Sequence, residues 1–203
     1  MKEQYFEELL NIDTRGNKAE INHSIHYHPY EPTPYSALEE LFKHYEVKPT
    51  DHIVDFGCGK GRLNFYLNYK YHATVMGIEM NKAFFEVAIK NREHYLKKTH
   101  RNSETVKFQC CLAQDYDIQP ADNRFYFFNP FSVQIFMKVL NNILASVEKH
   151  KREIDLIFYY ASDEYRYFLE QHTAFELIKE VPLPDLFEKN AYERFLIYRL
   201  YIS

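Results

Sequence analysis

The chain has 203 residues, 46% of them apolar and 27% charged, with a net charge of −4. That length suffices for one domain with a substantial core, and the composition excludes a disordered chain. No apolar run approaches the roughly 20 residues that cross a bilayer, and a net negative chain has no general electrostatic pull on nucleic acid.

Residues 2–10 place Tyr5, Phe6, Leu9 and Leu10 at helical spacing. The start, Met1-Lys2-Glu3-Gln4-Tyr5, lacks the basic and apolar stretches of a signal peptide. Residues 13–34 are polar and turn-rich, and Pro29, Pro32 and Pro34 keep them extended. His23, His26 and His28 are irregularly spaced with no cysteine among them, which argues against a metal site. Tyr27, His28, Tyr30, Thr33 and Tyr35 suit a cover over a ligand instead. The expected organisation is a helix and lid segment over residues 1–34, then a domain over 35–203, compact as a whole.

A helix is predicted at 35–45, with Leu38, Leu41, Phe42 and Tyr45 on one face. Strands and helices then alternate: strand 52–56, helix 62–70, strand 73–79, helix 82–98, strand 105–111, an irregular stretch 113–123, strand 125–128, helix 132–148, strand 154–160 and helix 163–171. Strand-like runs at 174–181 and 193–202 have no helix between them and should pair antiparallel. The non-alternating apolar runs at 125–128 and 154–160 fit strands buried on both faces. The class is α/β: a mainly parallel sheet covered on both faces, closed by an antiparallel hairpin. Residues 81–107 carry seven Lys or Arg against three Glu. They fit a solvated face with cations near a helix C-terminus better than an RNA patch. The three cysteines, Cys58, Cys110 and Cys111, have no metal-ligand or disulfide pattern. They suit small, mostly buried thiols in a reducing compartment, so cytoplasm is the expected location.

Three of the five glycines fall within five residues, Gly57-Cys58-Gly59-Lys60-Gly61, between a strand ending in an acid and a helix. A glycine turn there bares the backbone to a ligand beside helix N-terminal amides. In a parallel sheet, that position adjoins the point where strand order reverses and ligands bind. A dinucleotide fingerprint needs glycine at position 62, where this chain has Arg62. Lys60 and Arg62 either face solvent or fix the loop through its carbonyls.

Asp55-Phe56-Gly57-Cys58-Gly59-Lys60-Gly61 resembles the first motif of the class I S-adenosylmethionine-dependent methyltransferases. The resemblance implies a Rossmann-like fold with a seven-stranded sheet and S-adenosyl-L-methionine as cofactor. It also implies that Gly57, Cys58, Gly59 and Gly61 shape the donor loop and that Asp55 holds the donor's amino group. Glu79 then holds the ribose, Met80 packs on the adenine, and Asp115 with Tyr116 meets the adenine edge. Asn129-Pro130-Phe131 resembles the acceptor element at the fourth strand of some members, with one proline where adenine and glutamine methyltransferases typically have two. Asp13-Thr14-Arg15-Gly16 and Asn129-Pro130-Phe131 also resemble segments of small members of unassigned substrate.

The expected activity is in-line methyl transfer to an unidentified acceptor, with nitrogen on a protein side chain or small metabolite favoured over nucleic acid. A donor-binding module without catalysis and an NAD-dependent oxidoreductase are the rival readings. Nothing in the residues indicates a membrane partner or an oligomeric state.

Overall fold

A computed structural model describes residues 2–16 and 30–202. The histidines at 23, 26 and 28, with Tyr27, lie outside the described residues. Helix α1 (Lys2–Leu10) and helix α2 (Tyr35–His44) precede the sheet. Then follow β1 (His52–Phe56), α3 (Arg62–Tyr71), β2 (Thr74–Glu79), α4 (Lys82–Thr99) and β3 (Val106–Cys110). Next come β4 (Arg124–Phe128), α5 (Val133–Lys149), β5 (Ile154–Tyr159), α6 (Asp163–His172), β6 (Glu176–Pro182) and β7 (Arg194–Leu200).

The seven strands form one sheet in the order β3-β2-β1-β4-β5-β7-β6. The five strands from β3 to β5 are parallel, and β7 runs antiparallel to both β5 and β6. The hairpin therefore folds back, so that its second strand, not its first, meets β5. The last strand is the more apolar: β7 buries Phe195 to Tyr198 in sequence, whereas β6 is mostly exposed. Burial thus puts β7 inside the sheet and leaves the charged strand at the edge. Strand order reverses at β1, between β2 and β4, and this opens a crevice at the strands' carboxyl ends.

Local signals agree with the element ends. The Asn81 side chain caps α4 by accepting from the Ala83 and Phe84 amides, and Ser162 caps α6 by accepting from Tyr165. Gly61 takes φ +90° at the N-cap of α3, a conformation that a residue with a side chain rarely adopts.

Apolar layers cover both faces. On one, Tyr126 of β4 and Ile157 of β5 join Phe6, Tyr35, Leu38 and Tyr66 from α1, α2 and α3. On the other, Phe125, Phe127 and Phe158 meet Phe136, Val139 and Ile143 of α5. Away from the crevice, at the start of β5, the fully buried Asp155 carboxylate accepts from the Tyr45 hydroxyl at 2.5 Å and from Arg199 at 2.7 and 2.9 Å. Tyr45→Phe should cost about 2 kcal/mol, the size of a hydrogen bond to a buried charge. Urea unfolding at pH 7 would measure it.

Candidate donor and acceptor site

The glycine loop follows β1 at the crevice. The amides of Gly57 and Cys58 both donate to the Ile78 carbonyl, at 2.9 and 3.1 Å, which ties the loop to β2. The Gly61 amide donates to the Cys58 carbonyl at 2.9 Å and closes the turn into α3. Gly57, Gly59 and Gly61 have φ of +80°, +55° and +90°. All three also meet close neighbours, Gly61 the Phe108 and Phe65 rings at 2.7 and 2.8 Å from where a Cβ would lie. A Cβ on Gly57 would lie 2.8 Å from the Pro130 Cβ, so the loop is seated directly on the Asn129-Pro130-Phe131 turn. A Cβ on Gly59 would lie 2.1 Å from the Tyr30 ring.

Glu79 ends β2 and is buried. Its carboxylate accepts from the Gly59 amide at 2.9 Å and from the Asn81 amide at 2.7 Å. Burial pushes its pKa up against these amides, which favour the charged form. Each oxygen keeps acceptor capacity for a further donor. Asp55 is buried at the end of β1, and among the described residues no hydrogen bond reaches its carboxylate. Burial and then the nearby Glu79 charge push its pKa up to about 8. The Cys58 thiol is buried and pushed well above its ordinary value by the same burial, so it is an inert, small filler.

The remaining predicted residues differ in environment. Met80 is exposed beside Glu79. Asp115 is exposed on a short turn after β3, while Tyr116 is buried, with its hydroxyl donating to Asp122 at 3.0 Å. Asn129 leaves β4 with φ +38°. Phe131 is buried against Phe127 in the layer under α5, and its carbonyl accepts from the Tyr165 hydroxyl.

Asp55, Gly57 and Cys58 border a small cleft of about 30 Å³ with Tyr30, Tyr126 and Phe128. Tyr30 is one of the residues expected to cover a ligand, whereas Tyr126 and Phe128 were not among the expected site residues. Strand alternation puts Tyr126 and Phe128 together on the face of β4 opposite Phe125 and Phe127, but does not tell which face looks toward the cleft. The orphaned Asp55 carboxylate and the spare acceptor capacity of Glu79 fit the two polar needs of S-adenosylmethionine here, a cationic amine and a pair of ribose hydroxyls.

Residues 34–126 match the family model described as a methyltransferase domain. A histone-lysine N-methyltransferase specific for H3 lysine 79, from Dictyostelium discoideum, is 28% identical over 96 residues. That match takes in 42% of this chain and only 5% of that protein, so the chain spans a small fraction of this curated relative. Among solved structures, an RNA methyltransferase from Salinibacter ruber in complex with S-adenosylhomocysteine aligns with TM-score 0.53 at 17% identity, over 85% of this chain and 97% of that one. Geranyl diphosphate C-methyltransferase from Streptomyces coelicolor, also with S-adenosylhomocysteine, aligns with TM-score 0.52 at 12% identity, over 81% and 77%. At these identities the likeness to solved structures is one of fold. The names span RNA and a diphosphate, so the fold does not select the acceptor.

Proposed function

We infer that this chain, which carries a class I S-adenosylmethionine-dependent methyltransferase domain, transfers a methyl group to a nitrogen on a protein side chain or small metabolite presented at the end of β4. The observation that carries the reading is the pair of buried carboxylates at the switch point, Asp55, which no hydrogen bond reaches among the described residues, and Glu79, anchored to the loop backbone. The donor, when bound, supplies an activated methyl on a sulfonium. The protein's share is alignment and exclusion of water.

Within that share, Glu79 holds the ribose and the ionised Asp55 holds the donor's ammonium. Asp115 and Met80 border the adenine. Asn129 aligns the acceptor: its φ of +38° turns the chain out of β4, and the next residue, Pro130, rests on Gly57 of the donor loop. Donor loop and acceptor turn are thereby held in fixed register. A nitrogen acceptor is supported by the Asn-Pro-Phe element and by the match to a relative that is a lysine N-methyltransferase. The net charge of −4 supports a protein or metabolite over nucleic acid. The free thiols, Cys58, Cys110 and Cys111, support a reducing, cytoplasmic setting.

Residues 30–33 act as the cover. The cleft beneath them is about 30 Å³, far too small for the donor, so this segment shifts as the donor enters.

The test is transfer of labelled methyl from S-adenosylmethionine to lysine-bearing peptides and small amines. Asn129→Gly removes the side-chain amide and tolerates the positive φ. It should lower kcat by about 10- to 100-fold, as expected for a lost positioning contact, with donor affinity unchanged. Native turnover in this variant would remove Asn129 from the acceptor site, and labelling of oxygen or carbon alone would refute a nitrogen acceptor.

A further inference from the structure

The glycine loop is also gripped from the N-terminal segment. Arg62, the first residue of α3, is buried, and its Nε donates to the Thr14 hydroxyl at 2.8 Å. Its Nη1 donates to Glu3 at 2.5 Å and to the Thr33 carbonyl at 3.3 Å, and its Nη2 to Glu7 at 3.3 Å. The guanidinium carbon lies 4.5 Å from the centre of the Tyr35 ring. Glu7 is itself buried and also accepts from the Thr14 amide at 2.7 Å, the Thr14 hydroxyl, and the Tyr35 hydroxyl at 3.0 Å.

The other flank of Gly61 is held by the same turn. Lys60 Nζ donates to the Arg15 carbonyl at 2.9 Å. The Asn91 side chain of α4 donates to the Asp13 and Lys60 carbonyls, both at 3.1 Å, and accepts from the Asp13 amide at 3.0 Å. The Tyr30 hydroxyl donates to the Thr14 carbonyl at 2.5 Å, which holds its ring on Gly59.

Anchoring α1 does not require this network, because Phe6 and Leu10 already bury it in the core. Replacing a buried ion pair by apolar side chains is often neutral or stabilising, so a charged cluster here calls for a reason other than stability. The loop supplies one. Its glycines have no side chains, so beyond the backbone ties to Ile78, Cys58 and Glu79 the loop is held from the outside through Lys60 and Arg62. We propose that Arg62, clamped by Glu7 and Thr14, is a positioning residue that keeps the glycine loop in its donor-binding shape. The segment from α1 to Arg15 is thus a working part of the donor site. This rests on the loop being that site.

Calorimetric titration of the full-length protein with S-adenosylhomocysteine, well below the melting temperature, tests the clamp. Arg62→Gln should weaken binding roughly tenfold, the scale on which network residues modulate a distant site. Arg62→Lys should recover part of the loss, and KM for the donor should rise more than kcat falls. Tyr45→Phe is the control: it removes a buried hydrogen bond away from the crevice, so it should lower the melting temperature and leave affinity unchanged. Equal affinity loss in Tyr45→Phe, or native affinity in Arg62→Gln, would overturn the clamp while leaving the donor site standing. A native protein that bound no S-adenosylhomocysteine would overturn both.

Discussion

Glu79→Ala is expected to reduce affinity for S-adenosylhomocysteine by at least about 100-fold. Two hydrogen bonds from ribose hydroxyls to a buried carboxylate are lost, each worth about 1.5–3 kcal/mol when charge-assisted. The change also reaches the loop, because the Gly59 and Asn81 amides both donate to this carboxylate. Without it, two amides at the site lose their acceptor, and the loop loses its tie to the end of β2. Glu79→Gln separates these effects. Its single carbonyl oxygen can serve one of the amides, so it should fold nearly as well as the native protein but still bind weakly. Titration calorimetry with a parallel melting curve measures both. Native affinity in either variant would remove the ribose role from Glu79.

The second large effect is on pH. Asp55 has a folded-state pKa of about 8, raised by burial and by Glu79. A carboxyl raised on folding contributes stability that is fully present below its unfolded value, about 3.9. That contribution is lost as pH rises through about 8. The ligand-free protein should therefore lose stability between about pH 4 and 8. Asp55→Asn should flatten that slope and raise the melting temperature at pH 8 by about 5 °C or more, since one kcal/mol moves a domain of this size by about 2–4 °C. Ligand binding has the opposite demand, because a cationic amine needs the ionised carboxylate. Between pH 5.5 and 7.5 the affinity for S-adenosylhomocysteine should rise by up to about tenfold per pH unit. Nearly one proton should be released on binding near pH 7, read from calorimetry in buffers of different ionisation enthalpy. An affinity independent of pH, or no proton release, would refute this role for Asp55.

Most of the fold was legible along the chain. The helix expected at 62–70 is Arg62–Tyr71, and the strand expected at 125–128 is Arg124–Phe128, because periodicity and glycine breaks are local properties. The final hairpin was legible as a hairpin. Its docking by the second strand was not, because that depends on which strand buries more apolar surface against β5. The same limit applies at the site. Asp55, Gly57 and Cys58 sit on one cleft, as a compact motif in one stretch of chain should. Tyr126 and Phe128 were hidden because in a strand apolar throughout, the pattern does not tell which face looks toward the ligand.

Arg62 shows the boundary most clearly. A lone arginine after a glycine turn is more often a surface residue than a buried one. Its burial depends on two glutamates from α1 arriving on it, from 59 and 55 positions away in the chain. The sequence by itself determined the α/β class, the order of elements and the glycine loop, since each is written in short-range spacing. Only the tertiary structure decided which charges are buried, what holds the loop and which side of β4 faces the cleft. Those depend on contacts between distant residues, whose desolvation and pairing exist only after the chain has folded.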